Sequence, residues 1–451
     1  MTARPGRTAL IAGITGGAAG LLTGLALPEP PTGGLILHTV VAVLLGAGFG
    51  LLATRQNPAD LLYWGLAYGA GWWLLGTLTL LPLLDGGPVA WTLPDARLRL
   101  PQLIGLLVYG MGTAAVLTAV HGGVLRGITP RRLLRGATAG LAAALLLIPL
   151  TDTMTGGILI TTGIIAGLLY PTLFAGPALG SGPALVRGVP YGFLCWILAG
   201  LSLPALLDGA PGAHWTLAAA QAALPRLPAY LLLGAGIALV DNALRSLGRL
   251  LFADDIRRLR REGAGTRGVR ALAYGALAGL TGGLLFTVVM VGIGVLDTVA
   301  RLVGATSVWT GLLVHLLISQ AIGVSYALLF HRRSYDLASG IGWGASYGFL
   351  WWILGGVTLF PILLGSTPKW DAAGLASAFP SLVGHLTYGA ALGVVYHLLE
   401  SRTNPWWLTR NTLQTARVTT EREQTLGSAP ALWTLTVLIA TTIPLLTTPP
   451  G

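Results

Sequence analysis

Residues 68–82 read YGAGWWLLGTLTLLP, and residues 347–361, which lie 279 positions later, read YGFLWWILGGVTLFP. The same offset relates Trp91 to Trp370, Pro101 to Pro380, Gly105 to Gly384 and Tyr109 to Tyr388. Agreement over so many positions without a gap indicates an internal repeat, in which each copy is one structural unit. A third, weaker copy lies between these two and keeps Tyr191, Trp196 and Pro204.

The composition places these repeats in a membrane. The chain has 451 residues, of which 54% are hydrophobic and only 10% are charged, whereas soluble domains carry about 25% charged residues. Apolar runs of roughly 17 residues or more can cross a bilayer as helices. Such runs occur at about 8–27, 34–54, 60–84, 101–121, 132–150, 156–175, 183–206, 226–244, 268–296, 306–330, 338–364, 380–399 and 430–447. The sequence therefore predicts an all-α polytopic membrane protein with about 13 transmembrane helices.

Three parallel four-helix repeats and one C-terminal helix account for these spans. An even number of spans in each repeat gives all three repeats the same orientation in the membrane. The predicted segments are repeat 1 at 1–125, repeat 2 at 126–250, a basic linker at 251–267, repeat 3 at 268–400, a second linker at 401–429 and a C-terminal transmembrane helix at 430–451.

The first span of each repeat carries glycines four residues apart. They are Gly13 and Gly17 in repeat 1, Gly136 and Gly140 in repeat 2, and Gly275, Gly279 and Gly283 in repeat 3. Such a stripe lets a second helix approach closely. We therefore expect these three helices to be central and the most buried. The motif at 13–17 resembles the one at 279–283, which aligns the two first spans.

The basic residues fix the expected orientation. With the N-terminus inside, all but five of the 27 Lys and Arg residues fall on the inner side, Arg187 among them, as the positive-inside rule requires. The five that fall outside are Arg97, Arg99, Arg226, Arg301 and Lys369. We therefore expect a multi-pass protein of a bacterial-type cytoplasmic membrane, N-terminus inside and C-terminus outside. The net charge of +11 then reflects loops near anionic lipid headgroups rather than nucleic-acid binding.

Three histidines are the candidate cofactor ligands. His38, His315 and His385 fall in the outer part of their helices, and facing imidazoles could ligate a haem or a chlorin. The alternative is that each imidazole forms a hydrogen bond between helices, as is common in membrane bundles. We favour the interpretation that each imidazole forms a hydrogen bond between helices, and we expect no bound cofactor and no metal. The single cysteine, Cys195, excludes a thiolate cluster.

The third repeat is similar to the YagU-like family of bacterial inner-membrane proteins. The resemblance covers about residues 300–400 and rests on His315, then Gly323 and Tyr326 in one helix, and later Gly384-His385-Leu386 with Tyr388-Gly389. It implies a shared fold unit rather than an activity. Repeat 1 has Leu106 where the second histidine would be, so only repeat 3 could use the pair.

The tryptophans divide into two groups. One group lies deep in the third span of each repeat and is expected to pack: Trp72, Trp73, Trp196, Trp351 and Trp352. The other group, Trp91, Trp215 and Trp370, lies in the outer loops. Indole rings favour the interface between membrane and water, so these three are expected to anchor half-buried loops there.

No ionisable residue falls near the middle of a predicted span, which argues against a proton-coupled pump. No P-loop, nucleophile elbow or zinc-protease helix is present. The basic segment 252–262 suggests a surface helix on anionic headgroups. The sequence thus favours a non-catalytic membrane subunit or scaffold that works with other membrane subunits. The alternatives are a transporter or channel for a small uncharged or hydrophobic solute, and a haem- or pigment-binding subunit that uses His315 and His385.

Overall fold

The computed structural model describes most of the chain. The described residues are 5–26, 34–53, 60–122, 128–151, 154, 156–174, 180–204, 215–252, 264–331, 333–334, 336–402 and 430–447. The segment 253–263, which includes most of the predicted basic surface helix, and the linker 403–429 lie outside these residues, as does His214.

Within these described residues, twelve helices are long and apolar enough to cross a membrane. They are α1 (Gly6–Leu25), α2 (Gly34–Ala53), α3 (Leu61–Leu84), α4 (Leu100–Val120), α5 (Pro130–Leu150), α6 (Gly156–Leu173), α7 (Ser181–Ser202), α8 (Leu217–Leu247), α9 (Gly268–Gly292), α10 (Val308–Phe330), α11 (Leu337–Leu363) and α12 (Phe379–Arg402). A shorter apolar helix, α13, covers Pro430–Leu446. The described part of the chain contains no strand. A helix satisfies its backbone hydrogen bonds internally, which a lipid environment requires. The predicted class, an all-α polytopic membrane protein of about 13 helices, is confirmed.

The helices pack in the same order within each group of four. The first helix of a group contacts the second and the fourth, and the third contacts the fourth. The strongest pairings are α1 with α2 and α4, α3 with α4, α5 with α6 and α8, α7 with α8, α9 with α10 and α12, and α11 with α12. Helices from the second group contact both of the other groups.

One tryptophan hydrogen bond recurs in all three groups. The indole N–H of a tryptophan in the third helix donates to a carbonyl oxygen at or just before the first turns of the fourth helix. The bonds run from Trp73 to Arg99 (2.9 Å), from Trp196 to Ala223 (3.0 Å) and from Trp352 to Ala378 (3.1 Å). These indoles are at most 2% exposed. Each begins a wider π-helical segment, at Trp73–Leu80, Trp196–Ser202 and Trp352–Leu359. The three tryptophans therefore pack and fix the outer loop.

The glycine stripes bring backbones into contact. In α5, a Cβ added at Gly140 would overlap the carbonyl of Gly163, and one added at Gly136 would overlap that of Gly167. In α9, Gly279 lies in the same way against the backbone of α10 at Ser319. Gly275 also faces α10, at Gly323, and Gly283 faces the Ser319 side chain. Hence no other residue fits at these positions without a shift of one helix.

The register of α1 differs from the one the sequence suggested. A Cβ added at Gly16 would lie 2.9 Å from the Cα of Gly46, and one at Gly279 would lie 3.0 Å from the Cα of Gly323. Gly16, rather than Gly13, therefore takes the place of Gly279. Gly13 and Gly17 are buried against Val43 of α2, but Gly13 has room for a methyl group there because its nearest neighbour would lie 3.4 Å away.

The expectation that α1, α5 and α9 are the most buried helices is wrong. The share of buried residues in the most apolar stretch of each helix is 78% for α7 and 72% for α8. The same share is 44% for α1, 33% for α5 and 39% for α9. The second repeat lies between the other two, so its third and fourth helices are covered on more sides. A glycine stripe needs only one close neighbour and does not require a central position.

Ion pairs lie near the ends of the helices where the basic residues cluster. Arg187 was expected in an inner loop, but it lies within α7, where its Nη2 is 2.9 Å from Oδ1 of Asp60. Burying this guanidinium is possible because the Asp60 carboxylate accompanies it. Asp241 pairs with both Arg135 (2.6 Å) and Arg245 (2.7 Å).

Helix α13 joins all three groups at one end of the bundle. Its last turn, Ile443–Leu446, contacts one short helical segment from each group. These segments are Leu93–Leu98, which precedes α4, Leu217–Ala223, which forms the start of α8, and Ala372–Ser377, which precedes α12. The guanidinium of Arg97 donates to the carbonyls of Leu445 (3.0 Å) and Thr447, and Gln221 donates to the carbonyl of Leu446 (3.3 Å). These carbonyls have no partner within the helix, so side chains from two repeats cap it.

The outer-loop tryptophans do not share one environment. Trp91 is 68% exposed, as interfacial anchoring requires, whereas Trp215 and Trp370 are buried in the protein. Trp370 donates to the hydroxyl of Thr358 at 2.9 Å. The predicted anchoring role is therefore wrong for Trp215 and Trp370, whose loops are covered by neighbouring protein.

Candidate functional site

A cavity of about 480 Å³ lies among the four helices of the first repeat. Its walls include Thr23 of α1, His38 of α2, Trp72 of α3 and Tyr109 of α4. The Tyr109 hydroxyl donates to the Ala42 carbonyl at 2.6 Å and so holds α4 against α2 beside the cavity. Ligand pockets commonly measure about 300–1,000 Å³, so the cavity is large enough for a small organic molecule.

The cavity opens sideways between α2 and α3. Leu37 and Val41 on one rim and Leu80 and Leu84 on the other line the cavity and are also exposed on the outside of the bundle. In a membrane this apolar surface faces lipid chains. An apolar molecule can therefore enter from the bilayer without passing through water.

Polar side chains line the cavity where α3 ends and α4 begins. Asp85 follows the last turn of α3 and is exposed, while Arg99 precedes α4 and is half-buried. Arg99 Nη1 lies 3.3 Å from the Asp95 carbonyl. The buried Oε1 of Gln102 has no hydrogen-bond partner among the residues that the structure describes. The cavity thus combines apolar walls with a polar end, as expected for a site that binds an amphiphilic molecule.

The third repeat fills the equivalent space with an aromatic ring. With Gly16 in the place of Gly279, Thr23 takes the place of Phe286. The Phe286 ring centroid lies 5.2 Å from that of His315 and 4.7 Å from that of His385. In the second repeat the same register places the buried Leu147 at this position. The small Thr23 side chain therefore leaves open in repeat 1 the space that Phe286 occupies in repeat 3.

The two histidines of repeat 3 are engaged in hydrogen bonds. His315 Nε2 lies 3.0 Å from the Gly283 carbonyl, and His385 Nδ1 lies 2.8 Å from the Ser381 carbonyl. Because a carbonyl oxygen only accepts, these nitrogens carry the protons. Phe286 packs against both imidazoles and occupies the space that a haem ligated by both would need. The residues present therefore do not fit a haem or chlorin at this place.

The other histidines have different surroundings. His38 lies near the Gly20 carbonyl, and its buried Nε2 has no hydrogen-bond partner. His331 Nδ1 lies 2.8 Å from Oε1 of Glu400, which ties the end of α10 to that of α12. Within the described ranges, no group of three or more His, Cys, Asp or Glu side chains could hold a metal ion.

The sequence analysis named His38 as a candidate cofactor ligand, and the structure places it in the cavity wall, but the sequence analysis missed Thr23 and Arg99. An alignment of the first spans that pairs Gly16 with Gly279 would have revealed Thr23, because this alignment gives repeat 1 a small residue at the position that Phe286 takes in repeat 3. Arg99 was assigned only to an outer loop.

The fold and the cavity together define a multi-pass α-helical membrane protein with a lipid-facing pocket. No protein-family profile matches the chain, and no curated protein or solved structure is significantly similar to it. The resemblance of residues 300–400 to the YagU-like family stays a prediction.

Proposed function

We propose that this chain is a non-catalytic integral membrane protein that binds one lipid-like amphiphile in the pocket of its first repeat. The observation that carries this proposal is the apolar cavity of about 480 Å³, which opens toward the bilayer and ends at polar side chains. An amphiphile has the matching form, with an apolar chain for the walls and a polar group for Arg99 and its neighbours.

Its role is to hold this molecule within a larger membrane assembly. Close backbone contacts at Gly136, Gly140 and Gly279 favour a rigid bundle, because packed helices are hard to separate. The cytoplasmic membrane of a bacterial-type cell, with the basic loops inside and anionic headgroups beside them, is the proposed location.

A second candidate is transport of the same molecule. It is favoured by the sparse contact between α2 and α3, the two helices that border the opening. A gap that widens between them would release a bound amphiphile into the bilayer. Binding is required by both functions, so binding is tested first.

The test fills the cavity with the side chain that repeat 3 already uses. In Thr23→Phe, the ring is expected to occupy the pocket as Phe286 does in repeat 3. The matched control is Thr138→Phe, because Thr138 is exposed on the lipid-facing side of α5. Each variant is purified in mild detergent, and the lipid that stays bound is counted by native mass spectrometry.

We expect one retained lipid in the wild type and in Thr138→Phe, and none in Thr23→Phe. Thermal unfolding of all three proteins checks that the substituted chains are folded. Equal lipid retention in folded Thr23→Phe and in the wild type would overturn the proposed function.

A further inference from the structure

The polar end of the pocket carries one cation and one anion that do not pair with each other. Arg99 and Asp85 line the same cavity, yet among the described residues neither side chain takes part in an ion pair within 4.0 Å. In the described part of the chain, the Arg99 side chain forms one hydrogen bond, to the Asp95 carbonyl at 3.3 Å. Most of the guanidinium N–H groups are thus available to a ligand.

These two charges are not needed to build the repeat. In repeat 3, Ala378 stands where Arg99 does, and its carbonyl accepts the same tryptophan bond, from Trp352. Leu364 stands where Asp85 does. The repeat in which Phe286 fills the cavity therefore lacks both charges, and the repeat with the open cavity has both.

From this arrangement we infer that the pocket takes an amphiphile with a zwitterionic head group, whose acidic group lies on Arg99 and whose protonated primary amine lies on Asp85. The inference rests on the proposed function and names the chemistry of its ligand. A guanidinium binds a phosphate or carboxylate through parallel charge-assisted hydrogen bonds. A primary ammonium has three N–H donors, which suit the Asp85 carboxylate and the unpartnered Oε1 of Gln102.

Other head groups fit less well. A purely anionic group would satisfy Arg99 but would bring a negative charge beside Asp85, and like charges at short range are unfavourable. An uncharged hydroxyl would form no charge-to-charge contact with either Arg99 or Asp85, and charge-assisted hydrogen bonds between two ionised groups are the stronger ones. The apolar chain lies between Leu37 and Leu80 in each case, so the head group alone decides the selectivity.

The experiment compares three lipids that have the same two oleoyl chains: phosphatidylethanolamine, phosphatidylglycerol and diacylglycerol. Each is added to the delipidated full chain, and the bound fraction is measured by native mass spectrometry. We expect phosphatidylethanolamine to bind about tenfold more tightly than phosphatidylglycerol, the effect of one charge-assisted hydrogen bond.

Asp85→Asn is expected to remove this preference, so that both phospholipids bind about equally. Arg99→Gln is expected to weaken the binding of both phospholipids and to leave the binding of diacylglycerol unchanged. Thr23→Phe is expected to weaken the binding of all three lipids. The inference is overturned if the wild type, like Asp85→Asn, binds phosphatidylethanolamine and phosphatidylglycerol equally tightly while Thr23→Phe still weakens the binding of all three lipids. If Thr23→Phe weakens none of them, the proposed function itself fails.

Discussion

A methyl group at Gly279 is expected to separate α9 from α10. In Gly279→Ala, the new Cβ would overlap the Ser319 carbonyl and lie 3.0 Å from the Cα of Gly323 and 3.1 Å from that of Gln320. Carbon atoms pack best at about 3.5–4.0 Å, so the helices must move apart by about 0.5–1 Å. All three neighbours are backbone atoms, so no side-chain rotation relieves the overlap. Overpacking of this kind costs about 1–3 kcal/mol.

The matched control is Gly71→Ala, because Gly71 is also a helical glycine but has no atom within 4 Å of an added Cβ. Thermal unfolding in detergent, followed by tryptophan fluorescence at one fixed heating rate, compares the two variants. Gly279→Ala should unfold several degrees below the wild type, and Gly279→Leu lower still, while Gly71→Ala should match or exceed the wild type. If Gly279→Ala and Gly71→Ala unfold at the same temperature, close backbone contact does not stabilise this pair of helices.

Three further predictions follow from other parts of the molecule. Arg97→Ala should lower the stability by about 1–2 kcal/mol, because two carbonyls of α13 lose a charged donor, and the exposed Arg301→Ala should have no measurable effect in the same unfolding assay. In a Cys195→Ser background, single cysteines at the two termini should react with an impermeant reagent on opposite sides of sealed vesicles; labelling on one side contradicts the odd number of spans. Asp336 caps α11 through the Ser339 N–H, and this bond lowers the pKa of its carboxyl. The stabilisation that this hydrogen bond gives to the folded protein is therefore fully present above the pKa that Asp336 has in the unfolded chain. It is lost as the pH falls through the lower pKa that Asp336 has in the folded protein. Asp336→Ala should cost about 1 kcal/mol at pH 7 and progressively less at acid pH as the carboxyl becomes protonated, and a loss that does not change with pH would contradict this account.

The class of the protein and its helices could be predicted because they depend on local properties. Long apolar runs require a bilayer wherever they lie in the chain, and the shared pattern at 68–82 and 347–361 places equivalent tryptophans at equivalent depths. The bonds of Trp73 and Trp352 follow from this repetition. The glycines four residues apart likewise indicate close packing, since only the nearest helix matters to them.

Burial by other repeats could not be predicted from the pattern within one repeat. The position of α7 and α8 against both neighbouring repeats depends on how the repeats meet. The ion pair of Arg187 with Asp60 could not be predicted because the two residues are far apart in the sequence and belong to different repeats. The pocket depends on one side chain, Thr23, and becomes visible only when the helix register is known to within one residue.

The position of α13 has a consequence for biogenesis. Twelve helices are synthesised and inserted before it, yet its last turn contacts all three repeats and its carbonyls need Arg97 and Gln221. Until α13 arrives, Arg97 and Gln221 lack these carbonyl acceptors, and the three repeats lack the element that contacts them all. The final assembly step must therefore follow the insertion of the twelfth helix. During that interval, the apolar surfaces that Leu438 and Leu446 later cover require shielding by lipid or by the insertion machinery.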